Sequence, residues 1–164
     1  MSLAANHGQL HEAVAQAARY DSRILLEAFI QGRELTVGIV GEEALPVIEI
    51  RPSQPFFDYT AKYTPGQTTY LVPAPLDEAT SRHVQQAGLR AHAALGCRHF
   101  SRADLILNER GEPVVLEVNT IPGLTTTSLL PKAACCVGVS YDDLCERLVF
   151  MAVESGKPVE PVPS

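Results

Sequence analysis

One stretch limits what this chain can fold into more than any other: Ser101–Ser128, SRADLILNERGEPVVLEVNTIPGLTTTS. Arg102 to Asn108 and Pro113 to Asn119 are short, apolar runs rich in branched residues, the pattern of strands. The charged, glycine-bearing run Glu109-Arg110-Gly111-Glu112 between them suits a tight hairpin turn. Side chains alternate faces along a strand, which predicts Val114, Leu116 and Val118 on one face and Val115, Glu117 and Asn119 on the other. Arg102 and Asp104 share a face of the partner strand. With Asn108 set opposite Pro113, Asp104 falls opposite Glu117 and Arg102 opposite Asn119.

Two carboxylates facing each other across a hairpin repel. One remedy is protonation of one of them; another is a hard cation. Asp104, Glu117 and Asn119 offer oxygens only, with no His or Cys close by in sequence, a donor set for Mg2+ or Mn2+ rather than zinc. The plain alternative is a solvated sheet face on which charges alternate. The loop that follows, Thr120 to Ser128, is rich in hydroxyls and turned by Pro122-Gly123. It leaves the strand just after the acids and would present N–H and hydroxyl donors to an anionic, phosphorylated or tetrahedral species.

EVNTIPGLTTTS after a strand carrying RAD resembles the C-terminal signature of the D-alanine–D-alanine ligases of the ATP-grasp superfamily. LLEAFIQGRELTVGIV, FFDYTAKYTPGQTTYLVPAPL and SLLPKAACCVGVSYDDL resemble the same family in the same order, from about Ile24 to about Val149. The resemblance implies an α+β fold, the C-terminal ATP-grasp lobe, with a mainly antiparallel sheet flanked by helices. It implies ATP-dependent joining of two D-alanines through an acyl phosphate, for peptidoglycan precursor synthesis. Asp104, Glu117 and Asn119 would hold Mg2+ or Mn2+ beneath the ATP phosphates. Arg102 and the backbone N–H of Gly123 would stabilise the tetrahedral oxyanion, and Ser128 and Leu129 would receive the carboxylate of the second D-alanine. Lys62 would neutralise the transferring phosphoryl group, and Tyr63 would help close the site around the second substrate. Glu27, Ala28, Phe29 and Ile30 match the segment that holds adenine, and Glu34 the residue that binds the ribose hydroxyls. Two departures stand out: Ala28 where many relatives carry Lys, and Phe57 where Tyr is frequent.

Family members also carry an N-terminal domain and a small ATP-grasp lobe, neither recognisable here. Residues 1–155 therefore read as the C-terminal subdomain of such a ligase and 156–164 as a flexible tail. The expected property is half of an ATP and metal site without ligase turnover, the full-length parent being a homodimer. Alternatives are another ATP-grasp carboxylate–amine ligase, a ligase using D-lactate, and a non-catalytic nucleotide-binding module. The Lys62-Tyr63 pair favours an amine acceptor, and the intact polar set argues against a degenerate module.

A hydrophobic fraction of 46% in 164 residues is enough for one buried core, and a net charge of −6 argues against a nucleic-acid binder that relies on bulk positive charge. No apolar run reaches the roughly 18 residues of a spanning helix. The four cysteines show no ligand spacing; adjacent Cys135 and Cys136 are expected to be buried and reduced, as in a cytoplasmic protein. Spacing further predicts a helix from Asn6 to Tyr20 and a meander of strands at Ile24–Ile30, Leu35–Val40 and Ala44–Arg51. A long aromatic loop to Thr68, a short strand at Tyr70–Pro73 and a helix from Asp77 to Leu95 follow. A short helix opened by Pro131 and a last helix capped by Ser140 complete the prediction.

Overall fold

The computed structural model describes residues 1–52 and 68–156 and divides into two compact units, Met1–Ile30 and Gln31–Ser164. The first holds helix α1, His7–Ala17, capped by the Asn6 side chain, which accepts from the Gln9 N–H. The stretch Ile24–Ile30 is not a strand. Its apolar alternation suits one, but a strand exists only as part of a hydrogen-bonded ladder, and Leu25, Leu26 and Phe29 are exposed.

The second unit is built on an antiparallel sheet. Its strands are β1 (Gly32–Val40), β2 (Glu43–Ala44), β3 (Ile48–Pro52), β4 (Thr68–Leu71), β5 (Phe100–Asn108) and β6 (Pro113–Asn119). Among the described residues the order is β4-β3-β1-β5-β6, with β2 beside β1. The single strand expected at Ala44–Arg51 is split by Leu45-Pro46-Val47, since Pro46 has no N–H to give a ladder. Leu45 instead donates to Gly38, and Ala74 donates to Val47.

Strand β1 shows why the two faces differ. Leu35, Val37 and Ile39 point to one side with Ala103, Leu105 and Leu107 of β5, all buried beneath helix α2 (Glu78–Ala94), which contributes Val84 and Ala87. Asp77 caps α2 through Thr80, as its Asp-Glu start suggests. Glu34, Thr36, Gly38 and Val40 point to the other side. At one end of that side lie helices α3 (Leu129–Cys136) and α4 (Tyr141–Glu154), whose Leu130, Ala133, Leu144 and Leu148 bury Val40, Leu45 and Ile48. Burying each such aliphatic group contributes roughly 2 kcal/mol, so the alternation fixes which residues of β1 and β5 are left on the polar face.

Helix α3 starts two residues before the predicted Pro131, which lies in its first turn, where a missing N–H costs little. Cys135 and Cys136 are exposed rather than buried, because Leu130, Ala133 and Ala134 take the inward face of that helix. All four cysteines are free. No helix among the described residues is long and apolar enough to cross a membrane.

Candidate functional site

The β5–β6 hairpin turns at Asn108, whose side-chain oxygen accepts from the N–H groups of Arg110 and Glu112, with Gly111 at φ +75°. Pairing starts with Leu107 opposite Pro113, one residue short of the expected register. A bulge then leaves Leu116 without a partner, and beyond it Asp104 faces Glu117, Ala103 faces Val118 and Arg102 faces Asn119. The site end therefore has the expected pairs, whereas the face assignment fails upstream: Val115 lies opposite Leu105, on the α2 side, not with Glu117. A bulge beside a polar site re-aims the side chains that follow it.

Because Thr36 pairs with Asp104, a row runs Thr36, Asp104, Glu117 across three strands on the polar face. Next to it runs Gly38, Arg102, Asn119, and Glu34 lies two residues from Thr36 on the same face. Arg102 grips Asp104 with two hydrogen bonds, Nε to Oδ1 at 2.9 Å and a terminal nitrogen to Oδ2 at 2.7 Å. The Thr36 hydroxyl adds a third, to Oδ1 at 2.6 Å. The side chains of Arg102 and Asp104 are 17% and 15% exposed, so the pair is shielded on most sides yet still reachable. Glu117 is exposed and Asn119 half-buried. The repulsion expected between Asp104 and Glu117 is thus offset in part by Arg102, leaving one more carboxylate than guanidinium in these two rows.

Asn119 leads out of the strand by accepting from the Ile121 N–H at 3.0 Å. The hydroxyl loop then closes on Ser128, whose Oγ accepts from the Thr125 N–H and lies 2.8 Å from the Thr125 hydroxyl. That leaves Ser128 as N-cap of α3 without a side-chain bond to the helix, so its first-turn N–H groups are not capped from within. A Cβ on Gly123 would come within 2.9 Å of the Ser128 hydroxyl, which explains glycine there. The Tyr141 hydroxyl donates to the Leu124 carbonyl and pins the loop to α4. A Cβ on Gly38 would lie 2.6 Å from Leu130, so α3 sits directly on the residue paired with Arg102. The start of α3, with Ser128 and Leu129, is therefore brought beside the Arg102–Asn119 row.

Among the sequence-predicted residues, the structure gathers Glu34, Arg102, Asp104, Glu117 and Asn119 on one face, with Gly123, Ser128 and Leu129 on the adjoining loop and helix start. Glu27, Ala28, Phe29 and Ile30 belong to the first unit. Lys62, Tyr63 and Phe57 lie outside the described residues. Thr36 was not foreseen, although the run Glu34-Leu35-Thr36-Val37-Gly38 alternates polar or small with apolar and could have signalled it. The donor chemistry fits a hard divalent cation: oxygens only, with Asp104 Oδ2 and one lone pair of the Asn119 oxygen retaining acceptor capacity beside exposed Glu117.

An antiparallel sheet with α2 on one face, and with α3, α4 and an oxygen-lined row on the other, is the architecture of the C-terminal part of ATP-grasp ligases. The family model for the D-ala D-ala ligase C-terminus matches residues 1–150, and the chain belongs to that family. A D-alanine–D-alanine ligase of Methylacidiphilum infernorum is 48% identical over 141 residues, 86% of this chain and 46% of that protein. One from Halalkalibacterium halodurans is 43% identical, covering 94% of this chain and 52% of that protein. The crystal structure of the Bacillus anthracis D-alanine–D-alanine ligase complexed with ATP superposes with a TM-score of 0.80 at 32% identity, covering 94% of this chain and 50% of that one. The VanG D-Ala:D-Ser ligase of Enterococcus faecalis gives 0.78 at 34% identity, over 89% and 43%. The chain spans about half the length of the curated relatives it matches.

Proposed function

We propose that this chain supplies the cation-holding and phosphate-facing half of an ATP-dependent D-alanine–D-alanine ligase serving peptidoglycan precursor synthesis. The observation that carries the reading is the pairing of Asp104 with Glu117 and of Arg102 with Asn119 on one open face beneath a hydroxyl loop. In the reaction a carboxylate oxygen of the first D-alanine attacks the γ-phosphorus of ATP, and ADP leaves. The amine of the second D-alanine then attacks the acyl carbon, and phosphate departs after the amine loses a proton. Asp104, Glu117 and Asn119 would hold Mg2+ or Mn2+, which supplies charge neutralisation at the phosphates.

The remaining work falls to the chain's own groups. Arg102, anchored by Asp104, presents its guanidinium to the oxygen that becomes negative when the acyl carbon turns tetrahedral, together with the Gly123 N–H. Ser128 and the uncapped first turn of α3 receive the carboxylate of the second D-alanine, an anion suited to a helix start. Glu34 accepts from the ribose hydroxyls, and Glu27 to Ile30 hold adenine. Lys62 neutralises the transferring phosphoryl group, Tyr63 closes over the second substrate, and the whole enzyme acts in the cytoplasm as a homodimer.

Calorimetry with Mg·ATP and a coupled ADP-release assay test the reading. The 164-residue chain is expected to bind Mg·ATP weakly and to release no ADP with D-alanine. D-alanine-dependent turnover would overturn the division of the site between two halves. Equal nucleotide binding by the chain and by Asp104→Asn would overturn the site itself.

A further inference from the structure

Thr36 is 1% exposed, yet its hydroxyl is not used to complete the sheet ladder. It lies 2.6 Å from Asp104 Oδ1 and 3.1 Å from the Ala103 carbonyl, and its single proton can serve one of them at a time. The shorter contact, to an ionised oxygen, is the stronger. Arg102 donates to the same Oδ1 and also to Oδ2, so among the described residues Oδ1 holds two donors and Oδ2 one. An ionised carboxylate has about four acceptor positions, two on each oxygen. Among the described residues Oδ1 is therefore saturated, and Oδ2 keeps an acceptor position, on a strand position paired with Glu117.

Resting on the cation reading above, we infer that Thr36 is a positioning residue that fixes the Asp104 carboxylate so that Oδ2 alone ligates the divalent ion. Backbone pairing gives the reason for this residue. Thr36 stands opposite Asp104 in the ladder of β1 with β5, so its hydroxyl reaches the carboxylate without any rotation of the strand. Its branched Cβ leaves few rotamers, and burial removes the freedom that an exposed hydroxyl would have. Arg102 alone holds the carboxylate in its own plane; the Thr36 bond comes from a different strand and stops the Arg102–Asp104 pair from swinging as one body.

The test is Mn2+ titration of the 164-residue chain without nucleotide, which would itself sequester the ion, followed by loss of the free Mn2+ electron paramagnetic resonance signal. Thr36→Val removes the hydroxyl at nearly constant volume, Thr36→Ser keeps it, and Asp104→Asn removes the ligand. Outer-sphere partners of ligands commonly change metal affinity by 10- to 100-fold, and about tenfold weakening is expected for Thr36→Val. Thr36→Ser should recover most of the wild-type affinity. A merely structural role would lower the melting temperature of Thr36→Val without moving its affinity. If Asp104→Asn loses Mn2+ while folded Thr36→Val binds as wild type does, the positioning role is wrong and the cation site stands. If Asp104→Asn also binds as wild type does, both are wrong. Should Thr36→Val not fold, Thr36→Ala compared with Thr36→Ser decides by the same affinities.

Discussion

Two carboxylates of this sheet each hold an arginine through Nε and one terminal nitrogen, and their surroundings differ. Glu49, buried at 4% exposure on the α2 face, takes Arg33 through Nε and a terminal nitrogen at 2.9 and 2.8 Å, and Arg51 at 3.0 Å. Arg33 also donates to the Pro75 carbonyl, tying β1 to the segment before α2. There two cations surround one anion, and among the described residues no further acid forms an ion pair with either arginine. Asp104, on the opposite face, has one arginine and one hydroxyl and stands beside Glu117. The first arrangement is closed and structural. Among the described residues the second holds two carboxylates against one guanidinium, on a partly exposed surface, and on the reading proposed above that balance suits a divalent ion. The pair geometry alone does not separate the two roles; the surrounding charge does.

Substitutions should pull that contrast apart, starting with the largest effect. Asp104→Ala is expected to weaken Mn2+ binding by about a hundredfold or more, since a ligand is lost outright, and to lower the melting temperature as well, since three hydrogen bonds in a largely shielded pair go with it. Glu49→Ala should cost stability alone. Removing one partner of a buried pair typically costs about 3–5 kcal/mol. With Arg33 and Arg51 partly exposed at 37% and 54%, about 2–3 kcal/mol is expected in urea unfolding, without change in metal affinity. Gly38→Ala places a methyl against the tip of Leu130, so about 1 kcal/mol of destabilisation is expected, with the cost spread into the α3 contact.

Acid should separate the same two regions. The Arg33 side chain, then Arg51, hold the Glu49 carboxyl below its ordinary value of 4.5, against the opposing effect of burial. Its contribution to stability is therefore present above about pH 4.5 and is lost as pH falls through the lower folded value. Glu49→Gln should flatten that acid limb. The smallest effect concerns His92, buried between α2 and β5 with Nδ1 2.7 Å from the Ser101 hydroxyl. Burial lowers its pKa from the ordinary 6.5, so the unfolded chain binds a proton more readily and stability declines as pH drops below about 6.5. His92→Asn should remove this slope in melting temperature between pH 7 and 5; an unchanged slope would assign it elsewhere.

Much of the site was legible because it rests on local rules. The hairpin declared itself through the charged, glycine-bearing run Glu109–Glu112, and strand alternation brought Asp104 to Glu117 and Arg102 to Asn119. Asn6, Asp77 and Ser140 announced the helix starts on which their side chains form caps. The failures required knowledge of what lies alongside. Ile24–Ile30 has the pattern of a strand but no ladder. The bulge at Leu116 carries no residue signal, since Val115 and Leu116 fit either face, and so the upstream faces were inverted. Thr36 reads as an ordinary strand residue until β5 is placed next to β1. Cys135 and Cys136 looked like core because cysteine is often buried, but the inward face of α3 was already filled by Leu130, Ala133 and Ala134.

The most direct test of the cation site is an anomalous difference map from crystals of the chain grown with Mn2+ and an ATP analogue. A manganese peak is expected within coordination distance of Asp104 Oδ2, Glu117 and the Asn119 side-chain oxygen. A map with manganese bound elsewhere and the Arg102–Asp104 pair untouched would contradict it.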